Sequence, residues 1–293
     1  MIDWSLQGFF VFDVGPSEDA NLFPAIFVFW RSSMQSITRH RNPVFQASLG
    51  VTPRRSLVVD TLHALFLGQM KSFVCLLLWT LLDSGIFGNL GTHDEQLMTG
   101  ILNLRGQLMA WYRERHQRNP SERLTRLSNL TMKMFGSSQD RKIKTKAAET
   151  WGMLIFLADV FERCIPRLPP NASQLLEAAR CLIRLVEIWN ENGVTLPEAA
   201  IDECFSSYHR FCDLTSVDEY DLFQPKRHLI WHLLASIPDK GNPRFHANWY
   251  DEALNKILKR ATRELSQTTF GQALLESMPL VLDREHRKRL RTD

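Results

Sequence analysis

The sequence has no two cysteines in CxxC spacing. Its five cysteines, Cys75, Cys164, Cys181, Cys204 and Cys212, are odd in number and scattered along the chain. That pattern argues against a disulfide framework and a structural zinc site, and it points to reduced, mostly buried thiols in an intracellular protein. The N-terminus lacks a basic stretch followed by an apolar run and a small-residue cleavage site, so no secretory signal peptide is expected. Long hydrophobic runs are missing too. The greasiest, Phe73 to Leu82, is about half the length a spanning helix needs, and Lys71 and Asp83 flank it. A buried core helix is expected there, with no membrane partner. Charge of one sign is scarce overall: 35 Lys and Arg against 32 Asp and Glu leave a net charge of +3. Neither a low-complexity tract nor an internal repeat of fixed period is present.

What remains is an ordinary globular composition. The chain has 293 residues, 44% apolar and 23% charged, enough for a large core in one or two domains and unlike a disordered chain. Two blocks are expected. Residues 1–59 carry short aromatic runs, Phe9 to Phe12 and Ile26 to Trp30, broken by Gly15-Pro16, Pro24, Pro43 and Pro53. They read as an irregular segment with short strands, the end of something that begins upstream. Residues 60–293 read as an α-helical domain. The fold class expected is therefore mainly α, a helical bundle or insertion domain with a small residual β element near the N-terminus.

Within the helical block the spacing predicts a long helix from Asp60 to Leu82 and a second over Asp94 to Gln117. A third should start at Asn119-Pro120-Ser121-Glu122, with Asn as cap and Pro in the first turn, and end near Gly136. Further helices are expected over Lys144 to Cys164, behind Asn171, from Glu198 to Cys212 and over 226–237. After the turn Gly241-Asn242-Pro243, two more are expected near 246–265 and 268–290.

Four polar constellations stand out. Asp60 and His63 sit three residues apart in the run Leu57-Val-Val-Asp60-Thr-Leu-His63-Ala-Leu-Phe-Leu-Gly68. Leaving water costs a carboxylate several kcal/mol unless something pairs with it. Asp60 is thus either a helix cap beside a core histidine or part of a polar site. His228 and His232, at i and i+4, would share a helix face and could bind one metal. Leu229 stands where a zinc protease needs Glu, and a plain histidine pair fits as well. Glu252 follows the Gly241 turn; with Trp249 packed inward it would face the interior, and Asp251 the solvent. The fourth is basic. Arg113, Arg115, Arg118, Arg123, Arg126, Lys133, Arg141, Lys142, Lys144 and Lys146 face only Glu114, Glu122 and Asp140, a local charge of +7. The tail from Arg284 to Arg291 adds five more basic residues. Concentrated charge of this kind suits a phosphate backbone, and equally a solvated helix face.

In order and spacing these motifs resemble the second half of CACTA-like DDE transposases, in the group that includes Plavaka-type and Kyakuja–Dileera–Zisupton elements. The resemblance rests on Asp60-Thr-Leu-His63-Ala-Leu-Phe-Leu-Gly68, Lys226-Arg-His228 with His232, Gly241-Asn-Pro243 and Glu252, and it spans roughly residues 40 to 270. It implies an RNase H-like core interrupted by a helical insertion. Glu252 would be the last catalytic acid, and Asp60 and His63 an auxiliary motif shaping the site. The metal set would be Asp60, His228, His232 and Glu252, holding Mg²⁺ or Mn²⁺ if catalytically competent. DNA would be the partner, contacted by Arg113, Arg115, Arg118, Arg123, Arg126, Arg141, Lys142, Lys144 and Lys146. Self-association is compatible with this reading, as is a nuclear location in a eukaryote. The first two catalytic acids have no clear counterpart, Asp13 being a poor one, so a truncated or degenerate enzyme is expected. Two other classes stay open: a helical interaction or scaffold protein, and a metal-dependent hydrolase built on Asp60, His63, His228 and His232.

Overall fold

A computed structural model describes residues 58–122, 124–216, 222 and 225–249, with single positions at 252, 257, 259, 273, 276 and 279. The chain divides into two compact units, Met1–His246 and Ala247–Asp293. Among the described residues the chain is mainly helical and has no strand. Val58 and Val59 are not in a strand; the remainder of the expected N-terminal β element, Arg123 and the basic tail lie outside the described residues. So does most of the two expected C-terminal helices, although the described positions there from Trp249 onward are helical.

The first unit opens with a π-helical segment, Leu62–Gln69, that runs into α1, Met70–Asp83. The sequence predicts one continuous helix here. The two stretches meet instead at a kink, where Gly68 has non-helical φ −103° and ψ −108°. A Cβ at Gly68 would lie 2.6 Å from Lys226 Cδ and 2.8 Å from the His63 carbonyl oxygen. Only glycine permits that approach. The segment 62–83 is long and apolar enough by composition to cross a membrane. In this fold Leu65, Met70, Phe73, Val74, Leu77, Leu78 and Leu81 are fully buried against the other helices. Each such side chain contributes about 1.5–3 kcal/mol through burial.

α2, His93–Arg118, begins with a capping box in which Thr92 and Glu95 bond each other's backbone N–H groups. The helix expected from Asn119 to Gly136 is absent. The chain runs irregularly to a short 3₁₀ turn, Met132–Met134. Two competitors explain the difference. Glu122, expected to close a capping box, is held by Arg115 through two hydrogen bonds of 2.6 and 2.9 Å. Leu127 and Leu130 are buried, and the Leu127 N–H donates to the Tyr112 hydroxyl at 3.1 Å. The leucines at every third position that suggest a helix thus pin an irregular chain to the core.

α3, Ala147–Cys164, starts three residues later than expected: Lys142 and Lys144 give their N–H groups to the Phe135 and Met134 carbonyls, and Lys146 is extended. α4, Ala172–Glu191, buries Leu175, Leu176, Ala179, Leu182 and Val186 along one face as the periodicity predicts. α5 is Glu198–Leu214 and α6 is Pro225–Ala235. Short turns follow at Ile237–Lys240 and Pro243–His246. Aromatic contacts join these layers: Phe73 of α1 meets Phe211 of α5 edge-on at 5.2 Å, Tyr208 of α5 meets Trp231 of α6 at 5.0 Å, and Trp111 of α2 meets Phe156 of α3 at 5.8 Å.

The cysteines are all free thiols. Burial pushes Cys75 and Cys204 up to about 11, with nearby cations or Trp189 opposing the shift only in part. Thiols so placed stay protonated near neutrality and are unreactive.

Candidate functional site

Asp60 stands at the head of the apolar run. Its Oδ1 accepts the Leu62 N–H at 2.9 Å, and its carbonyl accepts the Ala64 N–H at 2.9 Å. Its Oδ2 meets His63 Nδ1 in a short hydrogen bond. The carboxylate therefore satisfies an orphan donor of the first turn, as a cap does, and also orients the imidazole. The side chains are 22% and 40% exposed, so the pair keeps part of its hydration.

The separated sequence segments around this pair meet in space. The buried Thr61 hydroxyl donates to the Pro243 carbonyl at 2.7 Å. Lys226, at the start of α6, lays its aliphatic stem over Gly68. The turn between them is built on Asn242, which is 1% exposed. Its amide nitrogen donates to the carbonyls of Trp189 (2.8 Å) and Gly193 (2.9 Å), and its Oδ1 accepts the Arg244 N–H at 3.0 Å. Its backbone N–H donates to Val194 O at 2.7 Å. Asn242 thus closes the C-terminal end of α4, whose last carbonyls would otherwise be orphaned. Gly241 has φ +79°, and a Cβ there would lie 2.5 Å from the Val194 carbonyl oxygen.

His228 and His232 do share a face of α6. Their Nε2 atoms are 2.8 Å apart and their rings nearly perpendicular. Burial, then the neighbouring His228, holds His232 below the usual histidine range. Immediately before His228 in sequence stands a residue whose structural role the sequence did not signal. Arg227 is 8% exposed and donates to the carbonyls of Cys212 (2.5 Å) and Thr215 (3.5 Å), at the C-terminal end of α5. The Tyr208 hydroxyl donates to its carbonyl at 2.8 Å.

Among the described residues no three His, Cys, Asp or Glu side chains gather as a metal-ligand set. Asp60 with His63, and His228 with His232, form two pairs. The donors of these pairs suit Mg²⁺ or Mn²⁺ poorly. Such ions take mostly oxygen ligands, and the one carboxylate here already serves a backbone N–H and an imidazole. Glu252 belongs to the second unit. Trp249, expected to pack inward, is 41% exposed, and Glu252 is exposed on the same turn. Among the described residues the inward packing of Trp249, on which an inward-facing Glu252 depends, is thus not seen.

The basic segment is laid out on the surface. Arg113, Arg118, Arg126, Lys133, Arg141, Lys142, Lys144 and Lys146 are exposed, while Arg115 is half-buried with Glu122. Arg141 stacks over Trp79 at 4.7 Å and pairs with Asp83 at 2.8 Å. A cavity of ≈ 550 Å³ opens between α1 and the turn before α3, with Lys71, Trp79, Arg141 and Lys142 in its walls. Burial, then the nearby Lys226, lowers the Lys71 pKa from its ordinary value. Alternation of buried and exposed positions over 141–147 is visible in the sequence and could have revealed this edge; the Thr61, Asn242 and Arg227 contacts leave no local signal.

Comparison with family models, curated proteins and solved structures finds no match to this chain.

Proposed function

We propose that this chain is a transposase-derived helical protein that binds DNA through its basic segment. The observation that carries the reading is the exposure of Arg113, Arg118, Arg126, Arg141, Lys142, Lys144 and Lys146 within one stretch of sequence. Charge concentrated this way attracts a polyanion and binds it by releasing counterions. The ancestry is supported by the meeting of motif segments far apart in sequence: Thr61 with Pro243, and Gly68 with Lys226. An RNase H-like core with residual strands near the N-terminus is the finer part of the same proposal. Fluorescence anisotropy of labelled DNA, as a single strand and as a duplex, over a salt series tests it. Binding that weakens steeply with salt is expected, and no binding at low salt would overturn it.

A second reading, a helical interaction or scaffold protein, is favoured by one observation. Asp60 and Asn242, the polar residues of two of the motifs, both close helix ends. If DNA binding fails while the fold is intact, this reading replaces the first.

A further inference from the structure

The residues before α3 form an edge with a regular charge pattern. Residues 142–146 belong to no helix, Lys146 is extended (φ −77°, ψ 161°), and the Lys142 and Lys144 N–H groups donate to the carbonyls of Phe135 (3.0 Å) and Met134 (2.9 Å). Ile143, Thr145 and Ala147 are buried. Lys142, Lys144 and Lys146 alternate with them and are exposed. Positions two apart on an extended chain are about 6.6 Å apart, comparable to the contour spacing of successive phosphates along one stretched strand. The Lys71 ammonium donates to the Thr145 carbonyl at 3.2 Å, which sets a fourth cation beside the middle of this edge. Arg141 supplies a fifth, at the wall of the ≈ 550 Å³ cavity. A cavity of that size is in the range of small-ligand pockets.

Three carboxylates temper this charge. Asp140 pairs with Lys142, Asp83 with Arg141, and Glu149 with Lys146 at 3.4 Å. The Lys142–Asp140 and Arg141–Asp83 pairs are exposed on both sides, and such pairs are worth only about 0–1 kcal/mol, whereas the Glu149 carboxylate facing Lys146 is only 11% exposed. A phosphate can displace the two exposed pairs at little cost. Glu149 also lies near enough to Lys71 to act on its charge, although among the described residues neither Lys71 nor Lys144 makes an ion pair.

From this arrangement we propose that the edge Lys142–Lys144–Lys146 is a track for the sugar-phosphate backbone of single-stranded DNA. The strand continues into the adjoining cleft, where Lys71 and Arg141 meet the next phosphate. The inference rests on the DNA-binding reading and narrows it to one strand and one edge. A duplex presents its phosphates on a curved, wide surface, whereas this edge is a single line of cations beside a cleft.

The test uses the full chain and a labelled oligonucleotide, as a single strand and as a duplex. Affinity is measured over a salt series for the wild type and for the combined variant Lys142→Gln, Lys144→Gln, Lys146→Gln. The control variant Arg163→Gln, Arg180→Gln, Arg210→Gln removes equal charge from helices elsewhere. Circular dichroism melts check that each variant folds. The expected result is single-strand binding whose slope of log affinity against log salt flattens by about 2 in the track variant, with little change in the control. Equal losses in both variants, or a wild type that binds duplex and leaves single strands unbound, would overturn the track while the DNA-binding reading stood. A wild type that binds neither form would overturn both.

Discussion

The Thr61 hydroxyl donates to the Pro243 carbonyl at 2.7 Å, across 182 residues of sequence. This bond ties the start of the first helix to the turn that closes α4. Both partners are buried, Thr61 completely. A buried carbonyl that loses its donor pays its full desolvation penalty. Thr61→Val, which keeps the shape and removes the hydroxyl, is expected to destabilise the fold by about 1–3 kcal/mol. Thr61→Ser should recover most of the loss. Urea unfolding followed by tryptophan fluorescence reads the difference, and a neutral Thr61→Val would show that the bond is not made in solution.

Asp60 is expected to behave as a cap. Asp60→Ala should cost about 1 kcal/mol of stability, while Asp60→Asn keeps an acceptor for the Leu62 N–H and should cost only a few tenths. Equal losses in both variants would assign the stabilisation to the charge beside His63 rather than to the cap.

Gly68 has no room for a side chain. Gly68→Ala should destabilise by about 1–3 kcal/mol through overpacking. Shortening the neighbour in Gly68→Ala, Lys226→Ala should recover only part, because the His63 carbonyl at 2.8 Å from the added Cβ is backbone and stays. Full recovery would mean that the kink itself yields.

Arg227 closes α5 from the side. Arg227→Met should cost about 2 kcal/mol or more, since it leaves the Cys212 and Thr215 carbonyls without their charged donor. Arg227→Lys should not rescue it, because one ammonium cannot reproduce the guanidinium fork. Thermal melts of the two variants check this.

His232 gives the fold an acid sensitivity. Its folded pKa lies below the ordinary value of 6.5, through burial and then His228. Above 6.5 it is neutral folded and unfolded, and contributes nothing. As pH falls below 6.5 the unfolded chain takes up the proton first, so stability declines until the folded pKa is passed. His232→Gln should flatten that acid limb, measured as unfolding midpoint against pH; an unchanged limb would place the sensitivity elsewhere.

Part of this structure is legible in the sequence. The apolar stripe of α4 follows the helical period, and its buried residues are those the spacing names. The His228–His232 contact follows from an i, i+4 spacing. Asp60 as a cap follows from its position before a helix-forming run. The missing helix after Asn119 is not legible, because Leu124, Leu127 and Leu130 have helical spacing while Arg115 takes the Glu122 that would cap it. The π segment and its kink depend on the approach of Lys226, and the Gly241 turn on the end of α4. These are decided by partners remote in sequence, and no local pattern encodes them.

The central claim is that the basic segment binds DNA. DNA affinity, for a single strand and a duplex, measured between 50 and 200 mM salt tests it most directly. If about six phosphates are neutralised, affinity should fall on the order of 10³-fold over that range. Affinity for both forms that is undetectable at the low-salt end, or that is present and indifferent to salt, would contradict the account.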